Sequence, residues 1–260
     1  MIKLITEDLK ISFADNIVLR GISAVFEQGT MNSIIGVNGA GKTVYVKSIA
    51  NLLPFSGHVR LQQDEEFLSK SDIAYVPQMA AISSELTVTE MVIIGKVRQL
   101  VWRVSDEVLD EVEKVLSMLN LTELSNKRFS ALSGGQKQLV VMAQSIVSKP
   151  KVLLLDEPTS ALDLRHQIEV LDIAKNYCAE NGAIALVVMH DLSLVSRYSD
   201  TVLLLDGGIV LRHGSPGEVM QKELLEKVYG VEVEVSTTKT GYKTVTPISV
   251  SEKYSGAKAI

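Results

Sequence analysis

The stretch GVNGAGKT, Gly36 to Thr43, constrains this chain more than any other part of it. Before it, the apolar run MNSIIGV (Met31–Val37) reads as a buried strand. After it, Lys42–Leu53 reads as a helix stopped at Pro54. A strand that turns through glycines into a helix aims several backbone N–H groups and the positive end of the helix dipole at one point. That arrangement suits phosphate. In the P-loop pattern, Asn38, Gly39, Ala40 and Gly41 supply the loop backbone, Lys42 reaches the β- and γ-phosphates, and Thr43 holds Mg²⁺.

The rest of the chain suits a fold built from such units. Asp72–Val76, Lys151–Asp156 and Ala183–Met189 are short, continuously apolar runs, as expected of parallel strands buried on both faces. TVLLLDGGIVL reads as a hairpin turning at Gly207–Gly208. Strands alternating with helices predict an α/β fold with a mainly parallel sheet. Between Leu86 and Ser148 the strand signals stop. Ser105 is a candidate N-cap with Asp106 and Glu107 in the first turn, and Val108, Leu109, Val112, Val115, Leu116 and Leu119 mark one helical face. An inserted α-helical subdomain is expected there. Beyond Gly230 the chain becomes rich in Ser, Thr and Lys, a texture that fits edge strands or a mobile tail.

Composition narrows the class. Hydrophobic residues make up 46% of the chain, enough for a large core, yet no apolar run reaches the roughly 18–20 residues needed to span a bilayer. The charged N-terminus MIKLITEDLK does not read as an export signal, and the lone Cys178 fits a reducing compartment. A net charge of −5 argues against nucleic acid as the main partner.

Five further positions could carry chemistry. Asp156 and Glu157 end a buried strand, where an open α/β sheet binds its ligands. Asp156 fits a Mg²⁺-holding carboxylate and Glu157 a base that orients and deprotonates water, although Glu157 could also cap the turn before PTSALD. His190 follows the strand ALVVM, and its imidazole could contact a γ-phosphate there. Gln78 ends the strand of YVPQ and is otherwise an ordinary loop residue. Phe13 could stack on adenine or pack in a strand core. A second Gly-rich, helix-opening stretch, SALSGGQKQL (Ser130–Leu139), has no obvious role beside a complete P-loop.

The ordered set has a match. The P-loop, Gln78, LSGGQ (Leu132–Gln136), LLLDEP (Leu153–Pro158), SALD (ending at Asp163) and MHD (Met189–Asp191) resemble the ATP-binding subunits of ABC transporters, from about Leu4 to Gly230. The resemblance implies a P-loop NTPase (RecA-like) core with an N-terminal antiparallel β region. It divides the chain into an ATPase domain, 1–230, with its α/β core at about 1–84 and 150–230 and its helical subdomain at about 85–149, followed by a tail at 231–260. It implies ATP and Mg²⁺ as cofactors, with Thr43, Gln78 and Asp156 at the metal, Glu157, His190 and Gln78 in catalysis, and Phe13 and Val18 beside the base.

Family behaviour also implies a use for the second Gly-rich loop. Two copies assemble head to tail, so that Ser133, Gly134, Gly135 and Gln136 of one chain close on the nucleotide held by the other, with Asp163 crossing the same interface. Integral membrane permease subunits and, indirectly, a substrate-binding protein would complete the machine at the cytoplasmic face of the membrane. HDLSLVSRYSDTVLLLDGGIV and ELLEKVYGVEVEV are similar to the importers of iron-siderophores, haem and cobalamin. Val37, Phe13, Lys137 and Leu139 depart from common family residues, and GKVRQLVWRVSD lacks that subgroup's usual pattern. The apolar Met79, Ala80, Ala81 and Ile82 suggest a groove for a short helix of the permease. Competing readings are a non-transport ABC ATPase and a nucleotide-binding regulatory module. The absence of long insertions or a second cassette speaks against the first, and the intact Glu157 and His190 speak against the second.

Overall fold

A computed structural model of the chain describes residues 1–64, 66–67, 69, 72–78, 84–96, 104–160 and 162–251. In chain order the strands and helices are β1 (Ile2–Phe13), β2 (Asn16–Glu27), β3 (Met31–Ile35), α1 (Lys42–Ile49), β4 (Ser56–Gln63), β5 (Glu66–Phe67), β6 (Ile73–Val76), α2 (Val88–Ile94), α3 (Asp106–Met118), α4 (Gly134–Ile146) and β7 (Val152–Asp156). There follow α5 (Leu164–Asn181), β8 (Ile184–Val188), α6 (Leu192–Tyr198), β9 (Thr201–Asp206), β10 (Ile209–Gly214), α7 (Pro216–Val219), α8 (Lys222–Tyr229), β11 (Val231–Thr237) and β12 (Lys243–Val250).

The central sheet has six strands in the order β10-β9-β3-β8-β7-β6. All its pairings are parallel except the β9–β10 hairpin. Successive residues on a strand face opposite ways, and here each face meets its own core. Leu153, Leu155, Ala185, Val187, Val202 and Leu204 join a cluster that contains the helices. Val152, Leu154, Ile184, Leu186, Leu203 and Leu205 join a second cluster with α1 and the antiparallel sheet. That second sheet runs β2-β1-β4-β5 and presents Leu4, Leu9, Ile22 and Phe26 to the same cluster. Double burial is why these strands are apolar without alternation.

The Leu86–Ser148 stretch is helical among the described residues, apart from an isolated bridge between Thr87 and Arg128. Its apolar residues do not form a separate core. Val92, Val112 and Phe129 belong to the cluster that covers one face of the central sheet. Ser105 caps α3, accepting a hydrogen bond from Val108 N at 3.4 Å. Leu109 departs from the expected apolar face and is exposed, whereas Val108, Val112 and Leu116 are buried. The stripe runs in steps of four residues, and Leu109 lies one residue off it, roughly 100° around the helix.

Helix α1 is shorter than its sequence pattern, ending at Ile49 rather than at Leu53. Asn51 takes a left-handed φ of 58°, and Leu52 N returns to Lys47 O at 2.9 Å. That closure stops the helix before Pro54 is reached. The tail makes a ribbon of its own, β11 against β12, rather than an edge of the central sheet. It is tied to α6 through Lys243 N, which donates to Ser196 Oγ at 2.7 Å.

One buried charge holds the helical region together. Lys96 is only 3% exposed and pairs with Glu111 of α3, which also takes Lys149. Hydrogen bonds from Lys149 and Lys96 hold the Glu111 carboxyl down at about 2. Replacing Glu111 by Gln should destabilise the fold by about 3 kcal/mol at pH 7, because Lys96 would be left buried and unpaired. A depressed carboxylate stabilises above its unfolded pKa, so the deficit against wild type should shrink as pH falls from about 4.5 towards 2. Urea unfolding at pH 7 and pH 3 checks this. An equal deficit at both would refute the ion-pair account.

Candidate functional site

The site lies at the carboxyl ends of four neighbouring strands, as expected for an open α/β sheet. Strand β3 leads into the Gly36–Gly41 loop, β8 into His190, β7 into Asp156 and Glu157, and β6 into Gln78. Because β7 lies between β8 and β6, residues from both neighbours reach Glu157. Gln78 Nε2 donates to Glu157 Oε2 at 2.9 Å, and His190 Nε2 lies 2.8 Å from Glu157 Oε1. Three positions picked separately from the sequence are thus joined through one carboxylate. Glu157 itself has a left-handed φ of 50°. Such a backbone costs on the order of 1 kcal/mol and needs outside support. Ser160 supplies it, its Oγ donating to the Glu157 carbonyl at 2.9 Å.

A cavity of about 180 Å³ opens beside this carboxylate, lined by Val18, Asn38, Gly39, Lys42, Thr43 and Glu157 among others. Gly41 precedes α1 with φ of 96°, a conformation glycine takes without strain, and no side chain caps the helix. The first N–H groups of α1 are therefore left for a ligand. Lys42 is 5% exposed and donates from Nζ to the carbonyls of Gly36 at 2.8 Å and Val37 at 3.0 Å. Burial pulls its ammonium below the usual lysine range, while the charges of Glu157 and Asp156 oppose that shift. Ala40 is buried, so only its backbone can serve a ligand. Phe13 is 45% exposed at the end of β1 and does not line the cavity.

Asp156 is held at both oxygens. Thr43 Oγ1 donates to Oδ1 at 2.8 Å and Tyr75 OH donates to Oδ2 at 3.0 Å. The Thr43 hydroxyl and the Asp156 carboxylate are hard oxygen donors of the kind that suits Mg²⁺. Among the described residues no group of three or more His, Cys, Asp or Glu could hold a metal by itself. Tyr75 was not singled out by its sequence context. Its reach to Asp156 follows from β6 lying parallel to β7 with Tyr75 opposite Leu154, a pairing no local pattern discloses.

The second Gly-rich loop is elsewhere. None of Ser133–Gln136 lines the P-loop cavity. Ser133 caps α4 with a reciprocal box: its Oγ accepts from Gln136 N at 3.3 Å, and Gln136 Oε1 accepts from Ser133 N at 3.1 Å. A side chain at Gly134 would meet open space, whereas Gly135 packs against the ring of His166. Asp163 caps α5, accepting from His166 N at 3.0 Å. Met79–Ile82, the candidate groove, and most of the GKVRQLVWRVSD stretch lie outside the described residues.

Comparison with known proteins agrees with this geometry. A family model described as ABC transporter matches residues 19–160. An uncharacterized ABC transporter ATP-binding protein of Methanocaldococcus jannaschii is 35% identical over 93% of this chain and 96% of its own length. A hemin import ATP-binding protein of Rhizobium meliloti is 33% identical, covering 88% and 92% respectively. An iron(3+)-hydroxamate import ATP-binding protein of Bacillus subtilis is 32% identical over 91% of each. In fold, the chain superposes on one from an inward-facing transporter described as metal-chelate type, with a TM-score of 0.84, 24% identity and coverage of 95% and 98%.

Proposed function

From the premise that the chain belongs to the ABC transporter family, as an ATP-hydrolysing subunit that works with membrane permease subunits, we propose that it powers import of an iron chelate, haem or a similar metal-bearing compound. The support for that cargo is the naming of relatives at 32–33% identity, aligned over nearly the whole chain, as hemin and iron-hydroxamate importers. No helix among the described residues is long and apolar enough to cross a membrane. On this reading the chain sits on its permease at the cytoplasmic face and docks through the region of α2, α3 and α4. A substrate-binding protein delivers cargo from outside.

ATP binds with its triphosphate in the P-loop. The N–H groups of Gly39 to Thr43 and the Lys42 ammonium take its charge, Val18 borders the bound nucleotide, and Phe13 stacks on adenine. Thr43 and Asp156, with Gln78 as a further ligand, would hold Mg²⁺, which would supply positive charge against that of the triphosphate. Glu157 orients water and takes its proton as the water oxygen attacks the γ-phosphorus and the bond to ADP breaks. Gln78 and His190 hold the carboxylate in place. The chemistry is chiefly positioning and charge neutralisation. Uptake of haemin, a ferric siderophore and cobalamin by vesicles carrying the chain and its permease tests the cargo. ATP-driven accumulation of none of them would sink that reading.

The site is completed by a second copy, turned head to tail, whose Ser133–Gln136 loop and Asp163 close on the γ-phosphate. Ser133→Arg should leave ATP binding by dilute monomer within about twofold and stop turnover, because the side chain fills the partner's γ-phosphate space. Mixing it with Lys42→Ala puts both lesions at one composite site, so activity should return. If Ser133→Arg abolishes monomer binding instead, the loop serves its own chain's nucleotide.

A further inference from the structure

His166 joins the two elements that a chain would offer to its partner's nucleotide. Its backbone N and its ring Nδ1 both meet Asp163 Oδ1, at 3.0 and 2.8 Å. These two bonds also lower the pKa of the Asp163 carboxyl. The other side of the ring lies against Gly135: a Cβ built there would stand 2.5 Å from His166 Cγ and 2.8 Å from Nε2. Gln136 and His166 line one cavity of about 390 Å³ between α4 and α5. The ring thus fills the space between the start of α4 and the loop that ends at Asp163.

We propose that His166 is a positioning residue for the partner's active site, coupling Asp163 to the Ser133–Gly135 helix start so that the two close on the γ-phosphate as one unit. This rests on the head-to-tail reading above. It gives Gly135 a role distinct from that of Gly134: Gly134 faces open space, whereas Gly135 lacks a side chain to make room for the imidazole. A loop rigid against its neighbour loses less freedom when the dimer closes, and a misplacement of about 1 Å can cost on the order of a hundredfold in rate.

The test uses the full-length chain. His166→Ala should lower kcat for ATP on the order of tenfold or more while KM and monomer ATP affinity stay within about twofold, since its own P-loop is untouched. His166→Asn keeps a donor near the place of Nδ1 and should recover most of the rate. His166→Leu fills volume without a donor and should not. If His166→Ala does not fold, the Asn and Leu pair carries the comparison. Mixing then separates positioning from general damage. With Lys42→Ala, one composite site is intact and activity should return. With Ser133→Arg, neither site is intact and it should not. Wild-type kcat in His166→Ala, equal rates in Asn and Leu, or recovery with Ser133→Arg instead of Lys42→Ala would each overturn the proposal. A control mix of Lys42→Ala with Ser133→Arg that recovers nothing counts against the head-to-tail reading itself, and the kcat-against-KM split then decides the role of His166.

Discussion

Glu157→Gln is expected to lower phosphate release by roughly two to four orders of magnitude while leaving ATP binding intact. Strand β7 carries residue 157 to the cavity edge and a left-handed turn tips it over, so the amide should occupy the carboxylate's place. Gln78 and His190, which grip Glu157 at 2.9 and 2.8 Å, should keep the substituted side chain close to that position. Size and hydrogen-bonding reach are retained, and the capacity to accept a proton from water is lost. In the proposed site binding depends on Lys42, Thr43 and the loop amides, none of which changes. With ATP bound and hydrolysis stalled, a head-to-tail dimer should accumulate. Two measurements check this: phosphate release with Mg·ATP, and sedimentation or sizing with and without ATP. A variant that turns over at the wild-type rate and stays monomeric with ATP would remove Glu157 from the base role.

What the sequence disclosed, and what it hid, divides by distance along the chain. Each doubly buried strand shows itself as an apolar run because both faces are covered locally, and those runs matched β3, β6, β7 and β8 to within a residue or two at each end, while the hairpin run stopped at Leu211, three residues short of the end of β10. The P-loop was legible because its glycines, lysine and hydroxyl are contiguous. Contacts between distant segments were not. Tyr75 meets Asp156 across 81 residues of sequence, and the pairing depends on strand order. Nor did the sequence disclose that Gly135 makes room for an imidazole from α5. Leu109 was read onto the apolar face by type alone, although its position on α3 turns it to solvent. The end of α1 was set by a left-handed asparagine rather than by the more conspicuous proline.

Lys42→Ala should reduce turnover to background and weaken ATP binding by at least about tenfold. A buried lysine is costly unless something repays its desolvation. Here two loop carbonyls and the charges of Glu157 and Asp156 do so in part, yet burial still pulls its ammonium below the usual lysine range. A triphosphate arriving in the cavity supplies negative charge a few ångströms away and would draw Nζ off the carbonyls of Gly36 and Val37. In the proposed site the lysine is held ready by neutral carbonyl acceptors for an arriving phosphate, and it acts there as a binding group more than a structural one. Truncation should therefore cost little stability, about 1 kcal/mol for the lost carbonyl bonds, and much affinity. Lys42→Arg tests charge against shape: the broad guanidinium keeps the charge but does not fit a slot that takes a single ammonium, so it should also fail to turn over. Thermal unfolding, titration with a fluorescent ATP analogue and phosphate release together separate these effects. Wild-type turnover in Lys42→Ala would refute the P-loop assignment. Full activity in Lys42→Arg would show that charge alone, without the ammonium's compact shape, is what the loop requires.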